Sequence, residues 1–101
     1  MPKQDMGALS EFRIFETDEF RKKIGKLPDH DAQFLQRKLT EYVYPQLRTS
    51  PFLGRNIKKL KGYQPSTWRY RIGRFRVFFI VNRNERIVSM LSVDARRDAY
   101  K

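Results

Sequence analysis

Cysteine is absent from this chain and histidine occurs once among its 101 residues. Without cysteine there is no disulfide framework, no thiolate zinc site and no cysteine nucleophile. A single histidine excludes a two-histidine metal site and acid–base catalysis by a pair of imidazoles. The phosphate-binding glycine loops GxxxxGK[ST] and GxGxxG are missing as well, and the carboxylates form no ligand cluster. We therefore expect neither a metal nor a cofactor.

Long apolar runs are also missing. No segment approaches the roughly 18–20 apolar residues of a membrane-spanning helix, and the N-terminus lacks the apolar region of a signal peptide. The length suits one domain, and a hydrophobic content of 40%, with 14% aromatic residues, is enough for a core. We expect a soluble, cytoplasmic protein without a membrane partner, in which residues 1–10 are a flexible lead-in and residues 11–101 form one domain.

Acidic residues are scarce in the second half of the chain. The formal net charge is +11, and +10 of it lies in residues 51–101, which hold 13 basic and 3 acidic side chains. Between Tyr42 and Asn84 there is no acidic residue. Arginine outnumbers lysine by 13 to 9, and the planar guanidinium fork matches phosphate. This pattern favours nucleic acid, or an acidic protein that imitates it, over a generally solvated basic surface.

The first half of the chain predicts a strand followed by two helices. Glu11–Glu16 alternates as a short strand, and Thr17 has the position of an N-cap for a helix that Pro28 ends. A second helix starts near Asp29 or Asp31, and Pro45 should kink or end it. One apolar face of this helix carries Leu35, Leu39, Tyr42 and Val43. Nothing on this helical hairpin suggests chemistry.

The second half changes to the period of a strand. Trp68–Ile72 alternates aromatic residues with arginines, Gly73-Arg74 is a tight-turn candidate, and Phe75–Val81 is a nearly continuous apolar strand. A turn at Asn82–Glu85 precedes a last strand at Ile87–Val93. The order β-α-α-β-β-β predicts an α+β fold, with a helical hairpin packed on one face of a mostly antiparallel sheet. The other face would carry the arginines.

The basic strands hold the candidate site. Arg69, Arg71 and Arg76 fall on adjacent predicted strands, and Arg76 interrupts an apolar one, where an unpartnered charge is costly. Arg76 either reaches water from an edge of the sheet or joins other guanidinium groups around a phosphate. A cluster of guanidinium groups around the phosphate would stabilise the negative charge that develops when a ribose 2′-OH attacks phosphorus. Further basic candidates for RNA binding are Lys59, Lys61, Arg74 and Arg97.

Three segments in this order, Leu60–Gly62, Trp68–Phe79 and Val93–Tyr100, resemble the RelE/ParE toxin superfamily of type II toxin–antitoxin systems. The resemblance spans about residues 11–100, implies a RelE-like toxin domain, and is closer to the RelE branch. Members of that branch enter the ribosomal A site and cut mRNA there without a metal. Each is neutralised by an antitoxin made from the same operon.

The resemblance also implies a role for each catalytic candidate. Arg69 and Arg71 occupy basic positions of that branch, Arg76 would steady the scissile phosphate, Arg96 would donate a proton or stabilise the leaving group, and Tyr100 would stack on or orient a nucleotide. Two departures leave the general base open. Guanidinium groups keep their protons in proteins, and Ala95 stands where many relatives have histidine. Tyr100, a ribosomal group, or an arginine acting only electrostatically remain as possibilities.

The function expected from the sequence is therefore that of a ribosome-dependent, metal-independent mRNA endonuclease that inhibits translation. Its expected partners are mRNA, the ribosome and an acidic RelB-like antitoxin, with which it would form a hetero-oligomer. One alternative is a ParE-like toxin that poisons DNA gyrase without cutting RNA. Another is a basic RNA-binding module without catalysis, whose binding would depend strongly on salt.

Overall fold

One sheet of five strands carries the helices on one of its faces. The structure is a computed structural model that describes residues 11–95, so the predicted lead-in at residues 1–10 lies outside the described residues. The strand order is β1-β5-β4-β3-β2, with β1 parallel to β5 and the other pairs antiparallel. This confirms the predicted α+β class. In chain order the elements are β1 (Arg13–Glu16), α1 (Asp18–Gly25), α2 (Asp29–Lys38), a π-helical turn (Leu39–Val43), α3 (Tyr44–Thr49), β2 (Ile57–Lys59), β3 (Trp68–Ile72), β4 (Phe75–Asn82) and β5 (Ile87–Ala95).

The predicted order lacks one strand that the structure contains. β2 is three residues long and pairs antiparallel with the first half of β3, Ile57 opposite Tyr70 and Lys59 opposite Trp68. Three residues are too few for a period-two pattern to be recognised, so the sequence pattern did not predict β2. Four strands therefore follow the helices, where three were expected.

The start of α1 follows the predicted capping. The Thr17 hydroxyl oxygen accepts a hydrogen bond from the Phe20 backbone N–H at 3.2 Å and donates one to the Met90 carbonyl at 2.8 Å. The cap therefore satisfies a free N–H of the helix and also joins the helix to β5. The end of α1 differs from the prediction, because the helix stops at Gly25 and Pro28 occupies the N-cap position of α2.

Pro45 does not end the second helix. α2, the π-helical turn and α3 form one helical run of 21 residues. In the turn, the Tyr44 backbone N–H donates to the Leu39 carbonyl, five residues back. A proline ring collides with the carbonyl four residues earlier in a regular α-helix, and the wider turn relieves that contact just where Pro45 enters. The apolar side of the helical run therefore stays buried beyond the proline, at Leu35, Leu39, Val43 and Leu47.

The core lies between the helical run, α1 and one face of the sheet. In the central strand β4, Phe75, Val77 and Phe79 are at most 1% exposed and pack against the helices. The intervening residues Arg76 and Phe78 point to the other face and are half-buried. Between residues 11 and 95 no helix is both long and apolar enough to cross a membrane.

Candidate functional site

We call the face of the sheet that the helices leave uncovered the open face. Register places its side chains in rows, because directly opposite residues in antiparallel strands point to the same side with Cβ atoms about 4.5–5.5 Å apart. One row runs across β3, β4 and β5 as Arg71, Arg76 and Asp94. The next row runs across β2 to β5 as Lys58, Arg69, Phe78 and Ser92. The three arginines predicted on the strands therefore share one face.

Arg76 is held in place by the turn between β3 and β4. Its Nη1 donates to the carbonyls of Gly73 and Phe75, both at 3.0 Å. Gly73 has a φ of +59°, a conformation that glycine adopts at little cost, so the tight turn directs its carbonyl at the guanidinium. β4 is an interior strand between β3 and β5, so the interpretation of Arg76 as an edge residue does not apply.

Arg69 and Arg71 flank this position on β3. Arg71 is exposed, whereas Arg69 is half-buried and its Nε atom is shielded from solvent. That Nε has no hydrogen-bond partner among residues 11–95. Buried donors in proteins are almost always satisfied, so an anion placed against Arg69 would supply the missing acceptor. We call Arg69, Arg71 and Arg76 the basic end of the open face. Their positive charge and the Nε–H of Arg69 suit this end to an anion.

The predicted RNA-binding residues are more dispersed. The Arg74 guanidinium pairs with the Asp31 carboxylate at 2.6 Å and lies 4.6 Å from the Phe75 ring centroid, so it joins the hairpin turn to α2. Lys59 points to the helix side of the sheet, with Nζ 5.9 Å from the Trp68 ring centroid. Lys61 is exposed in the loop after β2.

Lys58, which the sequence did not single out, occupies the open face opposite Arg69. Its orientation depends on the register of β2, the strand that the sequence pattern did not reveal. Arg96, Arg97 and Tyr100 lie outside the described residues. β5 ends at Ala95, which stands opposite Phe75 beside the row that contains Arg76.

One acidic residue of the open face was also missed. Asp94 is exposed and is the only carboxylate at a strand position of this face among the residues that the structure describes. It pairs in register with Arg76. The sequence did hold a signal for it, since β2 to β5 contain no other acidic residue.

Tyr70, buried in β3, and Tyr44, half-buried in α3, keep their protons at neutral pH. Burial raises the pKa of Tyr70, and a hydrogen bond with Asn56 opposes this shift. Burial, followed by the hydrogen bond to Glu16, raises the pKa of Tyr44. Neither phenol is therefore available as a base. Within the described part of the chain, no three His, Cys, Asp or Glu side chains converge as metal ligands would.

The open face has an apolar end beside its basic end. Phe15 of β1 is 57% exposed. Together with Ile80, Ile87 and Ser89 it lines a groove of 650 Å³ against the turn between β4 and β5. A ligand that covers the whole face would therefore meet three arginines at one end and a groove with exposed apolar side chains at the other.

Comparison with known proteins identifies relatives of this arrangement. A family model described as the ParE toxin of type II toxin–antitoxin systems, parDE, matches residues 14–100. A chain of the RelBE2 toxin–antitoxin complex from Mycobacterium tuberculosis superimposes with a TM-score of 0.68 at 21% identity, covering 85% of this chain and 99% of that chain. A chain of the archaeal RelE–RelB complex from Pyrococcus horikoshii gives 0.65 at 20% identity, covering 85% and 96%.

A free-state variant of the Escherichia coli toxin RelE gives a TM-score of 0.61 at 21% identity, covering 89% of this chain and 88% of that one. At these identities the structural likeness establishes the fold. No curated protein sequence matches this chain.

Proposed function

The chain belongs to the ParE toxin family of type II toxin–antitoxin systems, and from this premise we propose that it is a toxin that cleaves mRNA on the ribosome. The observation that carries the proposal is the convergence of Arg69, Arg71 and Arg76 on one uncovered face. Two carbonyls fix the Arg76 guanidinium, and among residues 11–95 the buried Nε–H of Arg69 has no hydrogen-bond partner, so both groups are suited to an anion.

The chemistry that suits these groups is attack of a ribose 2′-oxygen on the neighbouring phosphorus. Negative charge grows on the phosphoryl oxygens during this attack, and donors that are already positioned stabilise it without reorganisation. Arg76 is the donor that the fold holds most firmly, and Arg69 and Arg71 would contact the same phosphate or its neighbours. We retain for Arg96 the proposed role at the leaving group and for Tyr100 the proposed contact with a nucleotide.

Binding to RNA on the ribosome would use the remaining cations. Lys58 extends the basic end of the open face toward the edge strand β2, and Lys61 lies in the loop that follows. Lys59 adds charge on the helix side of the sheet, Arg97 is retained as a proposed RNA contact, and Arg74 would contribute only where RNA competes with Asp31. Because the ribosome would place the codon against Arg76, cleavage of free RNA should be slow.

An antitoxin is the second proposed partner. The M. tuberculosis and P. horikoshii relatives were solved as toxin–antitoxin complexes. We propose an acidic, RelB-like antitoxin in which one amphipathic segment places apolar side chains against Phe15, Ile80 and Ile87 and carboxylates against the arginines. Charge complementarity of this kind speeds association, and covering Arg76 would block the site.

The test is induction of the protein alone in cells, with mapping of mRNA 5′ ends against the reading frame. We expect translation arrest and cuts at one codon position. Arg76→Ala should lower cleavage by about 100- to 1,000-fold, the range for losing one preorganised donor. Arg13→Ala is the matched control, because Arg13 lies on the same face at the far end, opposite Ile87. Full toxicity of Arg76→Ala would contradict the proposal.

Gyrase poisoning is the second candidate function, and the match to the ParE family model favours it. It predicts gyrase–DNA adducts with intact mRNA in the same induced cells. Salt-dependent RNA binding with neither cuts nor adducts would instead indicate a module without catalysis.

A further inference from the structure

The proposed cleavage needs a group that takes the proton of the 2′-hydroxyl. The arginines of the open face stay protonated, and burial keeps Tyr44 and Tyr70 in the neutral form. A 2′-hydroxyl becomes a nucleophile only when its proton has somewhere to go. The described strands of this face carry one carboxylate, that of Asp94, which can accept this proton.

Asp94 stands next to the arginine that would hold the phosphate. It lies opposite Arg76, which lies opposite Arg71, so the three side chains form one row across β5, β4 and β3. Neighbours in such a row have Cβ atoms about 4.5–5.5 Å apart, so the Asp94 side chain stands beside that of Arg76, and Arg71 is one strand further along the row. Asp94 is exposed, so RNA can reach it.

We propose that Asp94 is the general base of this toxin, an inference that rests on the proposed function. The Asp94 carboxylate takes the proton of the 2′-OH while the 2′-oxygen forms its bond to phosphorus. The P–O5′ bond breaks, and the 5′-oxygen leaves with a proton supplied by solvent. The products are a 2′,3′-cyclic phosphate and a 5′-hydroxyl end. Asp94 then releases its proton to water, so the proton count is unchanged over the reaction.

Among residues 11–95, two charged side chains share the row of Asp94. Arg76 faces it from β4 and Arg71 follows on β3. β1 does not reach this end of β5, because it pairs only with Ile87 to Met90. The helices pack on the opposite face of the sheet. A carboxylate in this position could alternatively act only by orienting Arg76, and the pH dependence of the rate distinguishes the two roles.

The experiment is single-turnover cleavage of ribosome-bound mRNA at pH 5 to 8, with the wild-type protein, Asp94→Asn, Asp94→Glu and a control. Asp94→Asn should be at least 100-fold slower, within the range for losing a general base, and its rate should rise more steeply with pH than the wild-type rate, because hydroxide then has to take the proton. Asp94→Glu keeps a carboxylate and should retain part of the rate together with the pH dependence of the wild type. Glu85→Gln is the control, since it removes the same charge at the other end of the β4–β5 hairpin.

Three results would overturn the assignment. A wild-type rate for Asp94→Asn would exclude the base while leaving the proposed cleavage intact. A slow Asp94→Asn with an unchanged pH profile, and an equally slow Asp94→Glu, would show that Asp94 only positions Arg76. A wild-type protein that cuts no mRNA would remove the proposed function and this inference with it. A thermal midpoint and the affinity for an oligonucleotide with a 2′-deoxy scissile site, both expected to stay near wild type in Asp94→Asn, separate loss of chemistry from loss of fold or binding.

Discussion

The two faces of β4 use neighbouring residues for opposite purposes. Phe75, Val77 and Phe79 are buried against the helices, and the side chains between them face the other way, beginning with Arg76. Because a strand sends alternate side chains to opposite sides, one eight-residue segment builds the centre of the core and the centre of the candidate site. Residues of β4 that stabilise the core therefore alternate with residues of the candidate site. A substitution on one face should change stability, and a substitution on the other should change the site.

The largest loss of stability is expected from truncating a side chain on the face of β4 that the helices cover. Phe79→Ala removes a fully buried ring and should lower the free energy of unfolding by about 3–5 kcal/mol. Phe78→Ala, one residue earlier on the open face, should cost about 1 kcal/mol, because its ring is half-buried before the substitution. Urea unfolding of the two variants measures the difference. Equal losses would mean that the open face is part of the core.

A smaller effect is expected where the covered face meets its edge strand. The Tyr44 hydroxyl donates a hydrogen bond to the Glu16 carboxylate, joining α3 to β1. Tyr44→Phe should lower the free energy of unfolding by about 1 kcal/mol, less than for a fully buried charged pair because Glu16 is partly exposed.

The same tyrosine predicts a dependence of stability on pH. The pKa of Tyr44 is raised in the folded chain, whereas unfolded tyrosine ionises near pH 10. Its contribution to stability is thus complete below about pH 10 and decreases as the pH rises above that value. Denaturation curves at pH 8 and pH 11 should show a smaller decrease for Tyr44→Phe than for the wild type. An identical decrease would assign the alkaline loss to other groups.

The smallest effect is expected when one positive charge is removed from either face of β2 and the salt dependence of RNA binding is measured. Lys58 and Lys59 are neighbours in β2, yet Lys58 pairs with Arg69 on the open face and Lys59 pairs with Trp68 on the helix side. Lys58→Ala should reduce the slope of log affinity against log salt concentration for RNA by about 1, as for one lost phosphate contact. Lys59→Ala should change the slope less. Equal changes would place the RNA on the edge of the sheet rather than on its open face.

Much of the fold follows from local patterns. Thr17 caps a helix because its side chain suits a free N–H, and the residues from Trp68 to Ile72 alternate because one side is buried. The arginines of the candidate site were predictable for the same reason, since Arg69 and Arg71 occupy the polar phase of an alternating strand and Arg76 interrupts an apolar one. Local patterns also explain where prediction stopped. β2 is too short for alternation, and the π-helical turn before Pro45 has no sequence rule as strong as the proline itself.

Composition, charge and alternation by themselves determined the class of fold, the basic second half and the three arginines on one side of the strands. These properties depend on residues close together in the chain. Which side chains then meet was decided by the tertiary structure, because register joins residues that are distant in sequence. Register set Asp94 beside Arg76 and Lys58 beside Arg69, and the approach of α2 to the β3–β4 turn paired Arg74 with Asp31. Hydrogen bonds between strands and burial of the sheet face beneath the helices determine that register. Both depend on at least two segments, so neither can be predicted from one segment alone.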